Sequence, residues 1–173
     1  MTVSLDTAFV ATCLQQLRSL SALLDRAEAH CRDKGLDPQA LMQARLAPDM
    51  WHFAKQVFET GHHSARAIEA VRSGLARPEL HEVPTDLASL RAAVAASIAT
   101  LEAVAPGELD AVAGGDVRFE IGPRHLDFTV ADFLLSFSLP NFFFHAGMAY
   151  AILRNQDVEI GKLNFLGSIR IKT

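Results

Sequence analysis

Much of what this 173-residue sequence says first is said by what it lacks. It has no stretch of about 18 uncharged apolar residues, the length a membrane-crossing helix needs. The nearest approach, "FLLSFSLPNFFFHAGMAYAIL", is interrupted by Pro, Asn, His and two Ser, and reads as a central helix of a soluble bundle. It has no cluster of Lys or Arg. With 16 basic against 20 acidic residues and a net charge of −4, it lacks the concentrated basic face that phosphate backbones require, so nucleic acid is excluded as a partner. The opening residues lack a basic leader followed by an apolar block and do not read as a signal peptide.

Cysteine is scarce. Cys13 and Cys31 fall on one expected helix, about 27 Å apart along its axis, too far to bridge. With no disulfide framework, a reducing cytoplasm is the expected location. Specific catalytic signatures are missing too. "VAGGDV" does not make a phosphate loop. Ser136 and Ser138 have no base at a defined spacing that would support a nucleophilic triad.

What is present is a helical pattern. Half the residues are hydrophobic and 21% are charged, the balance of a globular chain, and residues 1–173 read as a single domain. From Leu5 to Lys34, apolar residues recur at three- and four-residue steps (Phe9, Leu14, Leu17, Leu20, Leu24, Ala27), and Gly35 supplies a stop. Asp37-Pro38 starts a short turn. A second long helix is expected from Pro48 to Ser73 with the stripe Met50, Phe53, Val57, Ile68 and Val71, ending at Gly74. "LARPELHEVP" reads as a connection, and Asp86 caps a third helix carrying Leu87, Leu90, Val94, Ile98 and Leu101. "VRFEIG" and "HLDFTV" alternate on either side of a turn at Pro123-Arg124, as a short hairpin does. Thr129 with Asp132 opens a fourth helix running to Asn155, with a kink expected before Pro140. The tail from Asp157 alternates weakly and could lie along the bundle. The fold class is therefore all-α: a four-helix bundle with a short β-hairpin between the third and fourth helices.

The chemistry concentrates on two of these helices. On the second, Asp49, Gln56 and His63 are spaced by seven, so each drifts only about 20° from the last and the three form one polar line. His52 falls to the outer side of that line. His62 is expected to point away into solvent, because adjacent helical residues diverge by about 100°. On the fourth helix, Ser138, Asn141, His145 and Met148 share a face amid Phe142, Phe143 and Phe144. A polar group there must find a partner or cost several kcal/mol. Two readings follow. In one, His63 and His145 ligate a divalent metal, zinc or nickel, with Asp49, His52, Gln56 or Asn141 supporting them. In the other, His145 pairs with Asp49 or Gln56 in a hydrogen-bond network that fixes helix register.

The segments "ARLAPDMWHFAKQV" and "LPNFFFHAGMAYAILRNQDVEIGKLNFLG", with the hairpin between the last two helices, resemble a bacterial group known only as a domain of unknown function and related to the DinB/YfiT-like superfamily. That resemblance implies a DinB-like four-helix bundle, often a homodimer. It also implies a nickel or zinc site of three histidines, one from the second helix and two from an H-x-x-x-H on the fourth. Some branches of the superfamily are thiol-dependent transferases using mycothiol, bacillithiol or glutathione. By this resemblance His145 matches the second histidine of the H-x-x-x-H, Asn141 stands where the first would be, and His63 or His52 corresponds to the second-helix ligand. The expectation is an uncharacterised bundle protein with an altered metal site. The alternatives are a non-enzymatic dimer that binds a small molecule or serves under stress, and a metal-independent enzyme using His145 as general base.

Overall fold

The computed structural model describes residues 3–78 and 81–172, so positions 79 and 80 of the expected connection lie outside the described residues. The chain is mostly helical, 63%, with a small three-stranded sheet.

A π-helical stretch, Asp6–Val10, leads into α1 (Ala11–Lys34), whose buried stripe runs through Cys13, Leu17, Leu20, Leu24, Ala27 and Cys31. Gly35 ends it at φ 65°, a left-handed value that a side chain would strain. Asp37 then caps α2 (Pro38–Gln43), its Oδ1 accepting the Gln39 amide at 2.9 Å.

The second long helix differs from expectation in two ways. It begins only at Phe53, because residues 46–50 turn and His52 occupies the cap position, its Nδ1 accepting the Lys55 amide at 3.3 Å. It then breaks into α3 (Phe53–His62) and α4 (Ala65–Ser73). At the break Ser64 sits at φ −127°, ψ −81°, outside the helical region, and its hydroxyl donates to the Thr60 carbonyl at 2.5 Å. Serine in this role offers the backbone an alternative to continuing the helical ladder.

Beyond Gly74, the short strand β1 (Leu75–Ala76) comes from a segment that reads as a connection, since two residues are too few to show alternation. Helix α5 (Leu87–Glu102) follows, with Asp86 Oδ1 accepting the Ser89 amide at 2.7 Å, then α6 (Glu108–Ala111). The hairpin is β2 (Asp116–Ile121) and β3 (Arg124–Thr129), joined through Gly122-Pro123 with Gly122 at φ 55°. β1 pairs with β2 in parallel, Leu75 opposite Arg118.

Thr129 caps α7 (Val130–Asp132), and the chain continues through a second π-helical stretch, Phe133–Ser138, into α8 (Leu139–Asn155). The irregularity expected from Pro140 is this π-turn. Proline carries no amide to bond back to the preceding turn, and the wider turn, with Leu139 N–H bonding the Leu134 carbonyl, accommodates the gap. The tail forms α9 (Lys162–Leu166) in place of an extended run. Its carbonyls are held by side chains of α1: Gln15 donates to Leu166, Gln16 to Phe165 and Ser19 to Asn164.

Helix α3 packs chiefly on α8 and α5, and α1 packs on α5 and α9. The α3–α8 seam is where the polar residues gather. Among the described residues, no helix is long and apolar enough to cross a membrane. Cys13 and Cys31 are both free and buried.

Candidate metal and ligand centre at the α3–α8 seam

Gln56 projects from the buried face of α3 towards His145 on α8. The two side chains meet at 2.8 Å, His145 Nδ1 to Gln56 Oε1. Gln56 Nε2 donates to the Trp51 carbonyl at 3.3 Å, which leaves its oxygen as the acceptor. The proton on His145 therefore sits on Nδ1, and Nε2 keeps its lone pair.

His145 lies between two near-parallel rings. Trp51 is 5.5 Å away with planes 13° apart, and His63 is 5.5 Å away with planes 14° apart. Phe144 meets His145 edge-on at 5.2 Å, and Phe137 does the same to His63 at 5.9 Å. Burial in this aromatic setting disfavours the charged imidazolium. It carries the His63 pKa from 6.5 down to about 3, with the neighbouring His62 and His145 adding to the effect. His145 falls to about 4 by burial, reinforced by Lys55 and His62. Both rings are thus neutral near pH 7, the form that can bind a metal.

The helix break brings in a residue expected to be solvated. His63 has left regular helical geometry at φ −87°, ψ 10°, and His62 lies half-buried against it, ring centroids 4.8 Å apart and edge to face. Glu59, one turn earlier, is buried too and takes an ion pair from Lys55 at 2.5 Å. Lys55 in turn lies over the Trp51 ring, 5.1 Å from its centroid. Ligand atoms of Glu59, His62 and His63 all lie within 4.8 Å of one another. In a tetrahedral zinc site such atoms stand about 3.4 Å apart, so side-chain rotation of about an ångström closes the set.

These groups border a cavity of about 630 Å³. Its floor is Gln56, Glu59, His63 and His145, and its rim is apolar, with Trp51 from before α3, Ile121 from β2 and Phe144 from α8. Trp51 and Phe144 are about half exposed, at 49% and 53%.

The structure thus brings together His63, His145 and Gln56 of the expected set. Asn141 also lines the cavity, but its amide donates to the Phe137 carbonyl of its own helix at 2.7 Å. Asp49 stays at the rim, exposed and ahead of the helix rather than on it, because the chain is still turning there. His52 is committed to its capping role. Sequence reasoning passed over Trp51, Lys55, Glu59 and His62. The missed signal is in "ETGHH", where Glu59 and His62 form the Glu-x-x-His spacing that helical-bundle metal centres use.

Two solved structures define the class: this is a DinB-like helical protein. A DinB family member protein from Shewanella denitrificans matches with a TM-score of 0.83 at 27% identity, covering 98% of this chain and 95% of that one. A DinB-like protein from Bacillus subtilis matches with a TM-score of 0.57 at 14% identity, covering 86% and 91%, and at that identity it speaks for the fold alone. Within the class, residues 5–166 match the family described as Domain of unknown function (DUF1993), and the chain belongs to it. No curated protein matches the chain.

Proposed function

We propose that this DUF1993 protein holds a divalent metal, zinc or nickel, at the α3–α8 seam and presents it to a small molecule in the adjoining cavity. The observation that carries this reading is the convergence of Glu59, His62 and His63 on one point beside that cavity. The donor set suits such an ion: imidazole and carboxylate are ordinary ligands for zinc, and burial keeps His63 neutral. A bound ion would supply Lewis acidity. The chain's own residues would do the rest. Gln56 would hold the His145 tautomer, with Nε2 left to accept a proton, and the apolar rim would exclude water. The ligand set departs from the superfamily's three histidines, since Asn141 interrupts the H-x-x-x-H and Glu59 with His62 stands in on α3.

A second reading is favoured by the His145–Gln56 bond and the Trp51 stack. In it the polar seam only fixes helix register, and the cavity binds a small molecule without chemistry. In both readings the long helical runs, 11–34, 53–73 with its break, 87–102 and 130–155, form a four-helix frame.

Titrating chelator-treated protein with zinc, nickel and manganese by calorimetry separates the two. The first expects one ion per chain, lost in His63→Ala and weakened at least tenfold in Glu59→Gln. Wild type that takes up none of the three ions overturns it and leaves the second.

A further inference from the structure

Behind His63 lies a second cavity, of about 510 Å³, lined among others by Arg66, Arg77, Phe133 and Ser138. It shares His62, His63, Pro78, Phe119 and Phe137 with the cavity in front, so the two are compartments on either side of one wall.

Ser138 sets this compartment apart. It is 1% exposed, and its Oγ has no hydrogen-bond partner among the described residues. Other hydroxyls nearby return to a backbone carbonyl one turn back: Thr60 to Val57 at 2.6 Å, Ser97 to Ala93 at 3.0 Å and Ser136 to Asp132 at 2.6 Å. Ser138 ends the π-turn, where the carbonyl four residues back, Leu134, is already taken by the Leu139 amide. A buried hydroxyl left unbonded carries a desolvation penalty that a bound partner would remove.

The surroundings say what kind of partner. Arg66 and Arg77 face Glu69 across the compartment, so an ammonium group would meet like charge there. The guanidiniums are themselves engaged, Arg77 with Glu120 at 2.9 Å and Arg66 with Glu69 and His81, which makes the hydroxyl the selective group. In the front compartment, Trp51 and Phe144 offer flat apolar surface.

We infer that the compartment behind His63 is an acyl-oxygen subsite. It takes the carbonyl or carboxylate oxygen of a small aromatic acid or amide whose ring lies against Trp51, and Ser138 Oγ donates to that oxygen. The inference goes beyond the metal reading and does not depend on it.

Trp51 is the single tryptophan, so its fluorescence reports occupancy of the cleft directly. The probes are 3-phenylpropionamide, 3-phenylpropionate and propylbenzene, titrated into the full chain with a chelator present. Wild type should bind at least one acyl compound about tenfold more tightly than propylbenzene, the effect of one buried hydrogen bond. Ser138→Ala should abolish that preference while zinc uptake in a separate titration is unchanged, and Ser138→Thr should keep it. The inference is overturned if no acyl compound gives a saturable change, or if propylbenzene binds equally well. It is also overturned if Ser138→Ala melts higher with the preference intact, since the hydroxyl is then an orphan without a ligand role.

Discussion

His145 Nδ1 and Gln56 Oε1 stand 2.8 Å apart across 89 residues of sequence, in a buried contact between α8 and α3. Replacing Gln56 with Leu leaves the Nδ1–H without an acceptor. The expected cost is about 1–3 kcal/mol of folding stability by urea denaturation. Gln56→Glu should instead raise the His145 pKa, since a carboxylate favours the imidazolium, and the ring's NMR shifts will show the direction.

Acid should weaken the fold through the seam. His63 and His145 titrate at 6.5 when unconstrained and at about 3 and about 4 in the folded chain. Between those values the unfolded chain binds the extra protons, so stability falls as pH drops below 6.5. It levels off below the folded values. Each histidine contributes a slope of up to about 1.4 kcal/mol per pH unit. Urea midpoints from pH 7 to pH 4 should show a shallower decline in His63→Gln than in wild type. Equal declines would mean that the buried ring does not drive the effect.

Glu59 depends on Lys55. The carboxylate side chain is 5% exposed and the lysine 17%. Lys55→Met removes the counter-charge and should destabilise the chain by about 2 kcal/mol, a partly exposed case of breaking a buried pair. If Glu59 is a metal ligand, saturating zinc should recover much of that loss, because the ion supplies the missing positive charge. A thermal shift of the variant unaffected by zinc would separate Glu59 from the metal.

Gly61 marks a close approach of α3 to α5. A Cβ there would stand 2.7 Å from Ser97 Oγ, which is held by the Ala93 carbonyl at 3.0 Å. Alanine ordinarily stabilises a helix interior by about 0.5–1 kcal/mol over glycine. Gly61→Ala should nevertheless lower stability by about 1 kcal/mol, as overpacked sites do. Adding Ser97→Ala should restore it to wild type or above, and the melting temperatures of the two variants test the sign.

Local chemistry made the helix ends legible. Gly35 and Gly74 stop helices because they accept left-handed backbone, and Asp37, Asp86 and Thr129 start them by accepting amides. The alternation around Gly122 was enough to place the hairpin. Gln56, His63 and His145 were drawn into one region by seam position and apolar surroundings, and they border one cavity in the fold. What could not be read was the break between α3 and α4. No proline marks it, and it depends on Ser64 leaving helical geometry with its hydroxyl on Thr60. An unbroken helix sends His62 and His63 in different directions, so assuming continuity hid the role of His62 and, with it, that of Glu59. Asp49 failed for the opposite reason, since periodicity was extended through residues that turn.

The π-turn at Phe133–Ser138 also acts as an angular spacer. Each of its bonds spans one residue more than an α-helical bond does, so it advances everything downstream relative to the hairpin. Deleting the exposed Leu135 would let the segment relax to ordinary helix and rotate α8 by about 100° against the strands. His145 would swing away from Gln56, and Phe144 or Ala146 would come nearer its place. The centre is thus tuned by a count of residues, and a one-residue loss upstream would dismantle it with every one of its side chains still present.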